Sequence, residues 1–235
     1  MCEAQWNDMQ TIPPYVIKRY ELQGKTPNYW QREAVLFRVV KGQGRIIVNG
    51  FSEMITEGDY GLLLPYHVFA WTVNNVDMTI ELFRLDLMLL SYARKMMKGE
   101  TTSVAIIRSV VCRPTVFQQQ KIDELWKLLE NSIQKISLQS AISHQIIALL
   151  AQAEYQELAK ENLPLSCQIM EDIAVQMGKP CALVEEARRL GKTQEQIQAC
   201  VVELTGLSYE ELINHFRSVY LATWVFDDSI SLEHK

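Results

Sequence analysis

Between residues 15 and 86 the apolar positions come in short runs separated by turn residues, a pattern that predicts strands. Val35-Leu36-Phe37-Arg38-Val39-Val40 is rich in β-branched and aromatic residues. It stops at Lys41-Gly42-Gln43-Gly44, read as a hairpin turn. Arg45-Ile46-Ile47-Val48 resumes as a strand and ends at Asn49-Gly50, the strongest short hairpin cue. Two more strands are read in Gly61-Leu62-Leu63-Leu64, stopped by Pro65, and in Met78 to Leu85. Short strands at this spacing predict a sandwich or barrel.

From Leu87 the period changes. Met88, Leu89, Tyr92, Met96 and Met97 recur at helical intervals up to Lys98, and Ser103 to Cys112 is ambiguous. Ile122, Leu125, Trp126, Leu129, Ile133 and Ile136 then recur every three or four residues, as do Ile142, Ile146, Leu149, Leu150 and Ala153. These predict two long amphipathic helices joined near Ser137. Asn162-Leu163-Pro164 is the clearest boundary, and shorter helices follow it, the first (Ile169 to Met177) stopping at Gly178-Lys179-Pro180. The expected organisation is therefore α+β: strands over 1–86, connector helices over 87–164, and an all-α part over 165–235.

Charge changes the picture more than composition does. The net charge is −5. Residues 1–164 carry 17 Lys/Arg against 17 Asp/Glu, and residues 165–235 carry 6 against 11, so the whole excess lies in the last part. The five cysteines (Cys2, Cys112, Cys167, Cys181, Cys200) form no CxxC pair and read as free thiols. No apolar run reaches membrane-span length, and Met1 to Trp6 lacks the basic start and apolar core of a secretion signal. The expected place is the cytoplasm, with no membrane partner.

The segment from Val35 to Gly50 resembles the first conserved stretch of small cupins, and Glu57-Gly58-Asp59-Tyr60-Gly61-Leu62-Leu63-Leu64-Pro65 resembles their second. The resemblance implies a jelly-roll barrel. Metal-binding cupins carry two histidines and a carboxylate before the first glycine turn and a further histidine after the proline. Here those places hold Asn28 and Trp30 (or Tyr29 and Gln31), Val35, and Phe69 or Ala70, so no metal is expected. Without a metal, the resemblance implies a barrel that holds an organic ligand. Trp30, Arg38, Tyr66, His67 and Trp71 are the candidate ligand-binding residues, with plain barrel core as the competing role. There is no GxSxG, HExxH or phosphate-binding glycine loop, so no catalytic residue and no cofactor is expected.

In the last part, Ala187 supplies the small residue of a helix-turn-helix, and Gly191, four residues on, the left-handed turn. Val184, Leu190, Ile197 and Val201 supply its apolar faces, and Thr193 with Gln196 forms a capping box. Downstream, Thr205-Gly206-Leu207-Ser208-Tyr209 to Arg217, then Leu221-Ala222, is similar to the pattern of AraC-type transcription regulators. That resemblance covers about 165–230 and implies a ligand-responsive regulator that binds DNA as a homodimer. It places Thr193, Gln194, Glu195 and Gln198 toward bases and Arg188, Arg189 and Lys192 toward phosphate. The helices between 115 and 160 would serve either self-association or packing on the barrel. Two departures stand out. Asp227-Asp228-Ser229-Ile230-Ser231 resembles the lead into a second such motif, which the residues up to Lys235 do not complete. The second helix, Gln194 to Leu204, carries Glu195 and Glu203 but neither Lys nor Arg.

Overall fold

The structure is a computed structural model and describes residues 15–29, 33–64, 67–85, 110–132, 135–153, 163–175 and 182–218. The helix read over Leu87 to Lys98, the stop at Gly178 to Pro180 and the segment Asp227 to Ser231 lie outside these residues. The architecture is α+β, a near-closed antiparallel barrel followed by helices.

Among the described residues the sheet is built from β1 (Ile17–Lys25), β2 (Val35–Lys41), β3 (Gln43–Val48), β4 (Phe51–Thr56), β5 (Tyr60–Leu63), β6 (Phe69–Arg84) and β7 (Val111–Cys112). All pairings are antiparallel. The hairpin read at Lys41 to Gly44 is not one. β2 and β3 do not pair with each other; both run along β6, with Val35 opposite Arg84 and Val48 opposite Phe69. Residues 35–48 form one long bent strand, and Gly42 (φ 84°) and Gly44 sit at its bend. A Cβ on Gly42 would lie 2.6 Å from the Asp77 carbonyl oxygen, and one on Gly44 2.8 Å from that of Thr72. The glycines are therefore required by the close approach of β6 rather than by a reversal of the chain. The true hairpin is Asn49-Gly50, with both residues at positive φ (51° and 87°) and Val48 paired to Phe51. The sheet also reaches past residue 86, because β7 pairs with β5.

Strand alternation separates two apolar layers. Val35, Phe37, Val39, Leu63 and Leu82 point into the barrel with Ile46, Phe69, Trp71 and Ile80. Leu36, Leu62, Phe83 and Leu85 point outward, where they are covered by helices α1 (Val116–Asn131) and α2 (Ile136–Ala151). α1 starts in a capping box of Thr115 and Gln118 and lays Ile122, Trp126 and Leu129 on the sheet. Burying each such side chain contributes about 1.5–3 kcal/mol as an upper figure. α1 ends at Asn131 and α2 begins at Ile136, so the predicted joint, Ser137, falls in the first turn of α2, and Ile136 is exposed.

α3 (Leu165–Val175), α4 (Leu183–Leu190), α5 (Gln194–Thr205) and α6 (209–218) enclose a second core of Ile169, Met170, Ile173, Ala187, Ile197, Val201, Leu212 and Phe216. Val68, from the barrel rim, is buried in this same core. No helix among the described residues is long and apolar enough to cross a membrane.

Candidate functional site

The pair α4–α5 has the geometry of a helix-turn-helix. Gly191 closes α4 in the left-handed conformation (φ 63°, ψ 35°), and the Lys192 N–H returns to the Ala187 carbonyl at 2.9 Å. Nothing lies near a Cβ built on Gly191, so glycine answers the backbone angle there and not crowding. Ala187 is buried where α5 crosses. Thr193 begins α5: its Oγ1 accepts from the Gln196 N–H (3.2 Å), and Gln196 Oε1 accepts from the Thr193 N–H (3.0 Å). Ile197 and Val201 hold α5 in place; Val184, read as part of that apolar face, is 55% exposed instead.

The seven residues read as DNA contacts separate into different roles. Gln194 and Glu195 are exposed on the first turn of α5. The Glu195 carboxyl is held below its ordinary range by its own backbone N–H and the Thr193 hydroxyl, so it is a firm acceptor. Gln198 has its Oε1 occupied by the Tyr209 N–H at 3.1 Å, which anchors the start of α6. Thr193 is engaged in the cap. Arg189 pairs with Asp172 at 3.3 Å and with Glu186, which ties α4 to α3. Arg188 and Lys192 are exposed and form no ion pair among the described residues.

The five ligand candidates are also dispersed. Trp30 and Tyr66 lie outside the described residues. Trp71 is fully buried inside the barrel, edge-on to Phe37 (centroids 5.2 Å) and Phe69 (6.1 Å), and its indole Nε1 has no hydrogen-bond partner among the described residues. His67 is buried just before β6. Its Nδ1 accepts from the Leu64 N–H (3.1 Å), and burial pushes its pKa down to about 3. Arg38 lies on the outer side of the barrel between the inward Phe37 and Val39. Its guanidinium donates to Glu81 (2.6 Å), Asp123 (3.3 Å) and Glu130 (3.4 Å), and sits 4.9 Å above the Trp126 ring. Of the places where a cupin metal would be held, Asn28 is exposed and bonded to the Leu204 carbonyl, Trp30 and Gln31 lie outside the described residues, and Tyr29, Val35, Phe69 and Ala70 are buried; no group of three or more His, Cys, Asp or Glu among the described residues could hold a metal ion.

Two features escaped the sequence reading. Glu81, 2% exposed, accepts from Arg19, Arg38 and the Trp126 indole and so bolts β1, β2 and α1 together. The second is a seam between barrel and helices. The buried Asn49 carbonyl accepts from Ser166 Oγ (2.7 Å) and Cys167 Sγ (3.1 Å), while Asn49 Oδ1 accepts from the Val68 N–H (2.8 Å). Asn28 Nδ2 donates to the Leu204 carbonyl at the end of α5 (3.1 Å). A cleft of about 430 Å³ follows this seam, with Lys25 on one side and Glu203 on the other. The Asn-Gly hairpin was legible, but nothing local in it says that its tip meets a helix some 115 residues on.

No family profile and no curated protein matches the chain. Among solved structures, similar folds include ToxT from Vibrio cholerae O395 (12% identity, TM-score 0.42, covering 87% of this chain and 80% of that one). The AraC-like transcriptional activator CuxR shows 11% identity and a TM-score of 0.41, covering 87% and 72%. A cupin-2 domain protein from Shewanella frigidimarina shows 12% identity and a TM-score of 0.27, over 28% of this chain and 65% of that one.

Proposed function

We propose that the chain is a helix-turn-helix transcription regulator of the AraC type, with α5 as its DNA-reading helix and the barrel as sensor of a small organic ligand. The observation that carries this reading is the α4–Gly191–α5 turn, capped and packed as a helix-turn-helix, on a helical core that includes Val68 of the barrel. Neither a metal nor a catalytic group enters it. A homodimer fits the exposed apolar residues Val116, Phe117, Leu128, Ile136 and Leu138 on α1 and α2.

Of the three cations read as phosphate contacts, Arg188 and Lys192 are the two not held in an ion pair among the described residues. Each neutralised phosphate contributes about 0.9 to the salt slope, so these two residues should together add roughly 2 per protomer to the fall of log K against log salt. Anisotropy titration with duplex from upstream of the coding region, at several salt concentrations, measures this. Binding that is specific and follows such a shallow slope supports the reading; no retention of duplex at low salt sinks it.

A second reading draws on the acid excess of residues 165–235 (6 Lys/Arg against 11 Asp/Glu). It makes the chain a regulator-like interaction protein that senses a ligand, or sequesters a full-length partner, without gripping DNA. Duplex that is never retained, together with assembly onto such a partner, would favour it.

A further inference from the structure

Helix-turn-helix proteins read base edges with the N-terminal residues of their second helix. On α5 these are Gln194 and Glu195, followed one turn later by the exposed Ala199. The helix has two carboxylates, and the structure separates them. Glu203 faces the barrel seam, lining the cleft with Lys25 and Asn28. Glu195 is thus the charged side chain at the reading end. With no Lys or Arg on α5, the bidentate contact to guanine O6 and N7 has no cationic donor from this helix. Gln198 has already given its acceptor to Tyr209.

An ionised carboxylate offers only acceptors. In the major groove, cytosine presents its N4 amino group as a donor. The adenine N6 donor has the N7 acceptor beside it, which repels a carboxylate. Ala199 presents a methyl group suited to the thymine C5-methyl. Building on the DNA-binding reading above, we infer that Glu195 is a specificity-determining residue that reads a G·C pair through the cytosine amino group, with Ala199 against a neighbouring thymine methyl. On DNA the carboxylate exchanges its local partner, the Thr193 hydroxyl, for the cytosine N4–H.

The experiment is selection of bound duplex by the full chain at low salt, from a library randomised across the half-site, with wild type, E195Q, E195A and E195K run in parallel. Circular dichroism establishes that each variant keeps its helices. The wild type should enrich a G·C pair at one position. E195Q should move that position to A·T, because an amide matches adenine N6 and N7, with a change in preference of roughly tenfold. E195A should lose the preference there. A structural role for Glu195 at the helix start would leave base preference where it was. If duplex is retained but E195Q leaves the base preference unchanged, or if no G·C pair is selected, the inference is overturned while DNA binding stands. If no duplex is retained by any variant, E195K with its added cation included, the DNA-binding reading falls and the inference with it.

Discussion

Glu81 joins three elements through one carboxylate on the barrel's outer face. Arg38 (14% exposed side chain) and the Trp126 indole both depend on it, whereas Arg19 is 59% exposed and adds little. Glu81→Ala leaves the buried Trp126 N–H without its acceptor and the part-buried Arg38 guanidinium with only its longer partners, Asp123 and Glu130. A loss of about 3 kcal/mol is expected, read as a lower urea midpoint. Glu81→Gln keeps one acceptor and should recover part of the loss. His67 gives a pH signature of known sign. Burial lowers its pKa from 6.5 to about 3, so the unfolded chain takes up a proton over a range where the native one does not. Stability is full above about pH 6.5 and declines as pH falls toward 3. His67→Asn, which keeps an acceptor for the Leu64 N–H, should flatten that decline in denaturation midpoints between about pH 7 and pH 5. An unchanged slope would sink the assignment. At this scale the sequence reveals residue type but not use. Arg38, Arg189 and Gln198 are suited to ligand or DNA by chemistry, and each is held by a partner distant in sequence or across a packed helix face.

Among the elements, the helix starts and the left-handed turns are local devices, which is why they were readable from a few residues. Thr193→Ala removes one arm of the α5 capping box and should cost about 1 kcal/mol, seen as a lower midpoint with unchanged cooperativity. The bend at Gly42 to Gly44 was not readable as such, because a strand that bends and a strand that reverses use the same glycines. What decides between them is the pairing with β6, and that is set by residues some 30 positions on. Gly50 belongs to both kinds of problem. It is a turn glycine at φ 87°, and a Cβ there would fall 2.4 Å from Ser166 Oγ. The hydroxyl could move only by giving up its bond to the Asn49 carbonyl. Gly50→Ala should therefore destabilise by about 2 kcal/mol, the sum of backbone strain and a loosened seam. In the double variant with Ser166→Gly the steric share should return and the backbone share remain. Strictly additive losses in that cycle would mean the two residues do not communicate.

For the whole molecule, the order of strands, long helices and short helices was legible because hydrophobic periodicity changes twice along the chain. The way the parts dock was not, since it rests on isolated polar atoms: Asn28 on Leu204, Asn49 on Ser166. Self-association is a question at this scale. Phe117 is 67% exposed and Leu128 55%, both on α1. If the pair is an interface, Phe117→Glu with Leu128→Glu should turn a dimer into a monomer in sedimentation experiments without lowering the unfolding midpoint of the barrel. A mass that is the same for both proteins removes these helices as the interface.

The hairpin tip and the barrel rim have one more consequence. Trp71 and Val68 lie on one strand and its lead-in, and Ile46 and Asn49 on the paired strand and its turn. Three residues of extended chain, about 10 Å, separate the Trp71 ring inside the barrel from a valine packed among the helices. Barrel interior and helical core are thus joined through one stretch of chain, held by β3 on one side and by Thr26 and Tyr29 on the other. A change in the position of Trp71 is therefore expected to be felt at Val68 and at the helices packed around it.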